Sequence, residues 1–150
     1  MATPKTIVGY TTGVFDMFHI GHLHLLEYAR NRCDHLIVAV TTDRLCLERK
    51  RKVPIITERE RVEIVKSVRY VDEVLLEDDP DKICAWNALK FDIIFKGDDW
   101  RGTPSWVSLE AEFARRNVKV EYVKYTNHIS STMLRLMLAD RVYGEHEQKK

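Results

Sequence analysis

Cysteine is scarce in this sequence and shows no pairing pattern. The three cysteines, Cys33, Cys46 and Cys84, are odd in number and widely spaced, and no two of them form a C-x-x-C pair. This spacing predicts neither a zinc knuckle nor a disulfide framework. Reduced thiols are typical of cytoplasmic proteins, so we expect a cytoplasmic location.

Long hydrophobic runs and a strong charge of one sign are also absent. No apolar stretch approaches the length of a transmembrane helix, and the first residues lack the apolar segment of a secretory signal. The formal net charge is only +1, which argues against bulk electrostatic binding to nucleic acid. We therefore expect no membrane insertion and no nucleic-acid partner.

What the sequence does contain is typical of one globular domain. The 150 residues are 45% hydrophobic and 31% charged, which is enough for one core and short for two domains. Internal repeats, low-complexity segments and linkers are absent from the sequence. We expect a single domain over residues 1–150 that ends in a charged C-terminal tail.

Short apolar runs alternate with helical patterns along the chain. The predicted strands are Thr6–Tyr10, His35–Thr41, Glu73–Leu76, Asp92–Phe95 and Lys119–Val123, and the predicted helices are Gly21–Arg32, Glu58–Val68, Lys82–Leu89, Val107–Arg116 and Ser131–Val142. A T-x-x-E capping box at Thr57 marks the start of the second helix. This alternation predicts a Rossmann-like α/β domain whose parallel sheet is covered by helices on both faces. Such sheets bind ligands at the carboxyl ends of their strands, near the switch in strand order.

The first strand-to-helix junction carries two histidines, His19 and His22. Unpaired N–H groups and the positive end of the helix dipole favour anions at such a junction, and Gly21 leaves room for a phosphate to approach the backbone. Two histidines could also bind a metal ion, but a metal pair on a helix is usually spaced i, i+4 and needs a third ligand. The spacing of three therefore favours a phosphate site.

The residues around this pair resemble a known signature. Gly13–His22 reads G-V-F-D-M-F-H-I-G-H, which is similar to the G-x-F-D-x-x-H-x-G-H signature of the nucleotidyltransferase superfamily and, within it, of the cytidylyltransferases. Four further segments match in order, namely E-R at Glu60-Arg61, R-Y-V-D-E-V at Arg69–Val74, G-D-D-W at Gly97–Trp100 and I-S-S-T at Ile129–Thr132. The resemblance covers residues 6–136, which we take as the core of the domain.

The resemblance implies transfer of a nucleotidyl group from a nucleoside triphosphate to an acceptor phosphate. Because the attacking phosphate is already an anion, no general base is required, and catalysis rests on alignment and charge stabilisation. The implied catalytic residues are His19, His22, Arg61 and Arg69. The two arginines lie about 80° apart on one helical pattern and so could meet one anion. The implied nucleotide-binding residues are Thr12, Gly13, Val14, Phe15, Gly21, Gly97, Asp98, Asp99, Trp100, Ile129, Ser130, Ser131 and Thr132.

The remaining implied site residues bind the acceptor and a metal ion. Lys52 and Lys124 are expected to contact the acceptor phosphate, with Lys52 at the end of a basic loop, Arg49–Lys52. Asp16 is expected to bind the Mg²⁺ that accompanies the triphosphate, since carboxylate oxygens suit this ion; the alternative is that Asp16 braces the first turn. Tyr125–His128 replaces the family's R-T-x-G segment, so the usual arginine is missing. Lys124 could supply its charge, although without the bidentate fork.

The expected reaction consumes CTP and a small phosphorylated alcohol, and it forms a CDP-alcohol and pyrophosphate. Glycerol 3-phosphate is the first candidate acceptor, because the G-D-D-W segment and the short chain resemble glycerol-3-phosphate cytidylyltransferases. An ATP-dependent adenylyltransferase of the same fold and a non-catalytic nucleotide-binding protein are alternatives. Class I aminoacyl-tRNA synthetases share H-I-G-H, but this sequence has no K-M-S-K-S segment. Arg69–Val74 resembles a segment that packs between subunits, which implies a homodimer.

Overall fold

The structure is a computed structural model that describes residues 3–124 and 126–147, and of residues 142–147 only the backbone. The described residues form five strands, β1 (Val8–Gly13), β2 (His35–Thr41), β3 (Glu73–Glu77), β4 (Ile93–Gly97) and β5 (Lys119–Val123). They also form the helices α1 (Ile20–Arg30), α2 (Asp43–Lys50), α3 (Glu58–Lys66), α4 (Lys82–Leu89), α5 (Pro104–Ala114) and α6 (Ser131–Glu147), with a 3-10 turn at Asp98–Trp100. Tyr125 lies outside the described residues.

The five strands form one parallel sheet in the order β3-β2-β1-β4-β5. The chain moves outward from β1 to β3 on one side and then returns to place β4 and β5 on the other side. The order therefore reverses between β1 and β4, and a crevice forms at the carboxyl ends of these two strands. The predicted parallel α/β domain is confirmed, and the first strand-to-helix junction lies at this crevice.

Two hydrophobic cores cover the two faces of the sheet. Along β2, Leu36, Val38 and Val40 pack in one core with residues of α1 and α3, whereas Ile37 and Ala39 pack in the other core with residues of α5. Strand residues that alternate between two buried faces account for the continuous apolar run in this sequence. Among the helices that the structure describes, none combines the length and apolarity needed to cross a membrane.

β1 and β4 extend further toward the crevice than predicted. β1 ends at Gly13 rather than Tyr10, because Thr11, Thr12 and Gly13 continue the parallel pairing with β2. The buried Thr11 hydroxyl also donates a hydrogen bond to the Phe95 carbonyl over 3.0 Å. These residues lack the apolar side chains that mark a strand in sequence, yet their backbone groups complete the sheet. The extension brings polar strand residues to the edge where ligands bind.

Helix α2 was not predicted. Arg49 and Lys50 lie in its last turn, so the expectation that the basic run forms a loop is wrong for these two residues. The Thr42 hydroxyl caps the helix by accepting a hydrogen bond from Leu45 N–H over 3.1 Å, and Arg51 ends it with a φ of 54°. Only Leu45 and Cys46 are buried in α2. Two buried residues are too few to produce a visible helical period in the sequence.

Candidate active site

A cavity of about 240 Å³ opens at the carboxyl ends of β1 and β4. We call it the histidine cavity, because His19 and His22 line it. The start of α1, the 3-10 turn and the start of α6 contribute its other walls. It thus brings together residues from separate sequence segments, and the predicted site residues that line it are Thr12, His19, Gly21, His22, Gly97, Asp99, Trp100, Lys124, Ile129, Ser130 and Ser131.

Backbone N–H groups at the start of α1 hold the two histidine rings. Gly21 N–H donates to His19 Nδ1 over 3.0 Å, and His19 N–H donates to His22 Nδ1 over 3.2 Å. A ring nitrogen that accepts a hydrogen bond carries no proton, so each neutral ring carries its proton on Nε2. The rings stack with their centroids 3.8 Å apart. No described residue hydrogen-bonds to either Nε2, and both N–H groups can donate to an anion in the cavity.

The surroundings of both histidines favour the neutral imidazole. Burial, and to a smaller extent the nearby His19, lowers the pKa of His22 to about 3, although Asp16 acts in the opposite direction. Burial and then the nearby His128 lower the pKa of His19 below its usual value. In the structure the two rings therefore present N–H donors rather than a fixed positive charge. A negative charge beside either ring would raise its pKa.

Gly21 provides the space that the His19 ring occupies. A Cβ at residue 21 would lie 2.9 Å from His19 Cε1, which is closer than van der Waals contact. We therefore expect Gly21→Ala to displace this ring and to lower kcat about tenfold, because alignment supplies much of the effect of a catalytic group. The Tm should change little, because the higher helix propensity of alanine offsets the weakened His19 cap of α1. Steady-state assays beside thermal unfolding measure both effects, and an unchanged kcat would contradict the prediction.

The loop between β1 and α1 has an unusual backbone. Phe15 and Met17 are not glycines, yet their φ values are 55° and 47°. The Phe15 ring is buried and meets the His22 ring edge-on, with centroids 5.3 Å apart. Such backbone conformations persist only where the surroundings hold them. Two charged side chains, Asp16 and Arg61, hold this loop.

Asp16 braces the loop instead of facing a metal ion. Its buried carboxylate accepts hydrogen bonds from the N–H groups of Ile55 and Ile56, each over 2.9 Å, and from Arg135 Nη2 over 2.8 Å. A buried carboxylate with three donors does not fit a Mg²⁺ ligand, so the predicted metal role is corrected to the alternative, a structural one. Within the described parts of the chain, no group of three or more acidic, histidine or cysteine side chains could hold a metal ion.

Arg61 supports the site from beneath and does not reach it. Its side chain is fully buried, and its Nη1 donates to the carbonyls of Val14 and Thr41, each over 2.7 Å. Its Nε donates to the Ile56 carbonyl over 2.9 Å, and its Nη2 pairs with Asp43 Oδ1 at 2.6 Å. The predicted contact with a phosphate is wrong, because every nitrogen of the guanidinium already donates to the protein.

Arg69 does not meet Arg61 on one anion. Arg61 lies in the first turn of α3, near the crevice, whereas Arg69 follows the other end of the helix, which stops at Lys66. Arg69 is exposed, and its Nη2 donates to the Tyr70 hydroxyl over 2.7 Å. Because α3 runs antiparallel to the strands, its first turn lies at their carboxyl ends and its last turn at their amino ends. The prediction that the two arginines contact one anion is therefore wrong within one chain.

Ser130 caps the last helix, α6. The Ser130 hydroxyl oxygen accepts a hydrogen bond from Met133 N–H over 3.0 Å, and Ser131 Oγ donates to the Asp16 carbonyl over 2.5 Å. Ser130 therefore keeps its own proton for a ligand, while Ser131 ties α6 to the loop after β1. Thr132 lies outside the histidine cavity and lines a second cavity beside it.

This second cavity, which we call the outer cavity, has a volume of about 540 Å³. His22 and Ser131 line both cavities, so the two adjoin. Lys52 is exposed and lines the outer cavity, whereas Lys124 is exposed and lines the histidine cavity. The structure thus places the two predicted acceptor lysines at different cavities. Of the other predicted residues, Val14 and Phe15 line the outer cavity, Gly13 lines a third cavity, and Asp98 is exposed on the 3-10 turn.

Sequence reasoning missed Lys96 and Arg135. Lys96 precedes the G-D-D-W segment and lines the histidine cavity from the end of β4. Its place at the carboxyl end of a predicted strand was a signal that could have identified it. Arg135 lies on α6 and donates to Asp16 and, over 3.3 Å, to the Val53 carbonyl. These contacts join residues more than 80 positions apart, and no local pattern indicates them.

The fold and the placement of the cavity are those of an α/β protein of the nucleotidyltransferase type. Two aligned imidazole donors and a capped helix start meet at the switch point of a parallel sheet. The chain belongs to the cytidylyltransferase-like family, whose model matches residues 10–137. The predicted family is confirmed, and the protein is a nucleotidyltransferase.

Known relatives cover most of the chain. It is 34% identical over 142 residues to a glycerol-3-phosphate cytidylyltransferase of Bacillus subtilis (strain 168), a match that covers 90% of this chain and 98% of that one. It is 36% identical over 126 residues to an FAD synthase of Thermococcus sibiricus, with 83% of each chain covered. A solved structure of a lipopolysaccharide core biosynthesis protein from Thermoplasma volcanium has a TM-score of 0.68 at 26% identity, covering 83% of this chain and 100% of that one. Because the names describe different products, the family defines the reaction class and not the substrate.

Proposed function

We propose that this protein transfers CMP from CTP to a small phosphorylated alcohol, releasing pyrophosphate and forming a CDP-alcohol. The observation that carries the proposal is the pair of Nε2–H donors of His19 and His22 beside the capped start of α6. Similarity to a glycerol-3-phosphate cytidylyltransferase over 98% of that protein supports CTP as the nucleotide. Glycerol 3-phosphate is the first acceptor to test.

The proposed reaction is a displacement at the α-phosphorus of the nucleotide. An oxygen of the acceptor phosphate forms a bond to this phosphorus, while the bond to the oxygen that bridges to the β-phosphate breaks and pyrophosphate leaves. Negative charge accumulates on the phosphoryl oxygens and on the leaving group. His19 and His22 stabilise this charge by donating hydrogen bonds that need no rearrangement, because their rings are already held.

The start of α6 suits the leaving pyrophosphate. Its unpaired N–H groups and the positive end of its dipole favour the β- and γ-phosphates, and Ser130 keeps a hydroxyl proton to donate. Lys52 and Lys124 supply positive charge at the two cavities where the acceptor phosphate can enter. No protein carboxylate is needed to activate the acceptor, since its phosphate is already ionised at neutral pH.

Nucleotide preference tests the proposal. We expect CTP to raise the Tm more than ATP does at equal concentration, because a ligand that binds only the folded state stabilises it in proportion to its affinity. Thermal unfolding with each nucleotide, followed by assays of pyrophosphate release with glycerol 3-phosphate, measures binding and turnover separately. A larger shift with ATP would favour adenylyl transfer, which the similarity to an FAD synthase supports. Binding of CTP without turnover on any phosphorylated alcohol would favour a non-catalytic nucleotide-binding protein.

Magnesium, a homodimer and a cytoplasmic location remain predictions. Since Asp16 does not fit a magnesium ligand, we propose that the ion arrives bound to the triphosphate, as Mg²⁺ commonly does, and no step above depends on it. The homodimer rests on the resemblance of Arg69–Val74 to a segment that packs between subunits. Three of its six residues, Arg69, Asp72 and Glu73, are exposed in the single chain.

A further inference from the structure

Lys96 is a cation that faces other cations. It is the last residue but one of β4, and its Nζ lies 5.0 Å from the ring centroid of Trp100 and 5.9 Å from that of Trp106. Among the described residues, no oxygen accepts a hydrogen bond from this ammonium group. Burial, followed by the charge of nearby Lys82, lowers the pKa of Lys96 to about 8, although Glu77 acts in the opposite direction. An ammonium placed in this way is costly unless an anion joins it.

A third cavity, of about 130 Å³, lies against Lys96. We call it the basic cavity, because four cationic side chains and one carboxylate line it, namely Arg49, Lys50, Lys82, Lys96 and Glu77. It lies between the ends of β1, β2 and β4 and the helix α2, and Thr12 and Lys96 line it together with the histidine cavity. A ligand bound at the histidines can therefore extend one group toward it.

The single carboxylate of the basic cavity is already engaged. Glu77 is buried, and its Oε1 accepts from the Thr41 hydroxyl over 2.9 Å while its Oε2 pairs with Lys82 Nζ at 2.8 Å. Lys82 also donates to the Pro80 carbonyl over 3.1 Å, which leaves one of its three N–H groups. Glu77 thus forms its ion pair with Lys82 and not with Lys96, whose ammonium group lies near the rings of Trp100 and Trp106. The cavity offers ammonium donors and a surplus of positive charge.

We propose that the basic cavity binds a second anionic group of the acceptor, a carboxylate or a phosphate, and that Lys96 is the residue that selects for it. This inference rests on the proposed function, since it assumes a phosphorylated acceptor at the histidine cavity. The preferred acceptor is then a phosphorylated alcohol with two anionic ends. The second anionic group takes no part in bond making or breaking; only the first phosphate attacks the α-phosphorus and displaces pyrophosphate.

The reacting phosphates do not account for this cavity. Neither histidine lines it, and no described residue of α6 does, so the nucleotide phosphates lie elsewhere in the proposed arrangement. Its volume of about 130 Å³ is enough for one carboxylate or phosphate and an adjoining carbon. The terminal hydroxyl of glycerol 3-phosphate would bring no charge to Lys96. A carboxylate at the same position would pair with it directly in a site that water reaches poorly.

Three acceptors built on one glycerol skeleton test the inference. Glycerol 3-phosphate ends in a hydroxyl, 3-phosphoglycerate ends in a carboxylate, and glycerol 1,3-bisphosphate ends in a second phosphate. We expect kcat/KM with CTP to be at least about tenfold higher for one of the two doubly anionic acceptors than for glycerol 3-phosphate. The comparison between 3-phosphoglycerate and glycerol 1,3-bisphosphate identifies whether the cavity binds a carboxylate or a phosphate.

Lys96→Met tests the residue, because methionine keeps much of the apolar stem and removes the charge. We expect it to lower kcat/KM for the preferred doubly anionic acceptor at least about tenfold, mainly through KM, and to lower the value for glycerol 3-phosphate by a clearly smaller factor, so that the preference between the two acceptors shrinks. Lys66→Met is the matched control, since Lys66 is exposed at the end of α3 and should change neither value. Lys82→Met is a poorer choice, because it would leave the buried Glu77 without its cation.

The outcomes separate this inference from the proposed function. A wild-type preference for glycerol 3-phosphate, or a preference for a doubly anionic acceptor that Lys96→Met leaves unchanged, would overturn the inference. It is also overturned if CTP raises the Tm but neither doubly anionic compound is turned over or raises the Tm more than glycerol 3-phosphate does. In each of these cases the response to CTP still supports the proposed function. If CTP and ATP both fail to bind, the proposed function and the inference fail together.

Discussion

His19→Ala and His22→Ala are each expected to lower kcat at least about a hundredfold while the protein remains folded. The two rings are held by backbone N–H groups before substrate binds, and in the proposed reaction their Nε2–H groups donate where charge accumulates as pyrophosphate leaves. Removing one preorganised donor of this kind typically costs two to three orders of magnitude. The lost hydrogen bond stabilises charge mainly in the transition state. Each substitution should therefore lower kcat by a larger factor than it lowers the affinity for CTP. Single-turnover and steady-state assays at saturating CTP measure the loss.

His24 provides a matched control on the same helix. It is exposed and lines neither the histidine cavity nor the outer cavity, so His24→Ala should leave kcat within about twofold of the wild type. His19→Ala also removes a cap of α1, which should lower the free energy of unfolding by about 1 kcal/mol. Activity assays at temperatures below the Tm of each variant separate this loss of stability from a loss of catalysis. If either His19→Ala or His22→Ala retains near-normal kcat, the catalytic assignment is wrong.

Much of the fold could be predicted because several elements carry strong local signals. The bounds of β2, β5 and α4 agree with the sequence prediction, and α3 begins at the residue that the Thr57 cap indicates. A central strand with both faces buried reads as a continuous apolar run. The polar ends of β1 and β4 and the short helix α2 have no such signal. They form because neighbouring strands and a threonine cap satisfy their backbone groups.

The position of a site residue could be predicted where a local sequence motif includes both the residue and the helix start that positions it. The histidines, the glycine between them and the serine cluster lie close in sequence to the helix starts that position them. Asp16 and Arg61 lie in equally strong motifs, but their partners are distant in sequence, and these partners decide their roles. Arg61 contacts Val14 across 47 positions, and Asp16 contacts Arg135 across 119. A motif indicates that a charged residue matters without indicating whether it contacts the ligand or the loop that binds it.

Arg61→Met is the sharpest test of that distinction. We expect it to lower the free energy of unfolding by about 3–5 kcal/mol, because it removes the cation that pairs with Asp43 and the donors to three carbonyls, those of Val14, Thr41 and Ile56. In a chain of this size such a loss lowers the Tm on the order of 10 °C. Urea unfolding gives the free energy, and a thermal scan gives the Tm.

A phosphate-binding arginine would behave in the opposite way, with a nearly normal Tm and a large loss of kcat/KM. Arg59→Ala is the control, since Arg59 is exposed on the same helix and should change stability by less than about 0.5 kcal/mol. Arg61→Lys retains a charge but lacks the fork that reaches several carbonyls at once, so its stability should lie between those of the wild type and Arg61→Met. A stable, correctly folded Arg61→Met protein that has lost CTP binding would contradict this prediction and would indicate that Arg61 contacts the nucleotide. The expected result is instead a less stable protein whose remaining folded fraction still binds CTP, because Arg61 holds the loop after β1 in place and does not contact the nucleotide.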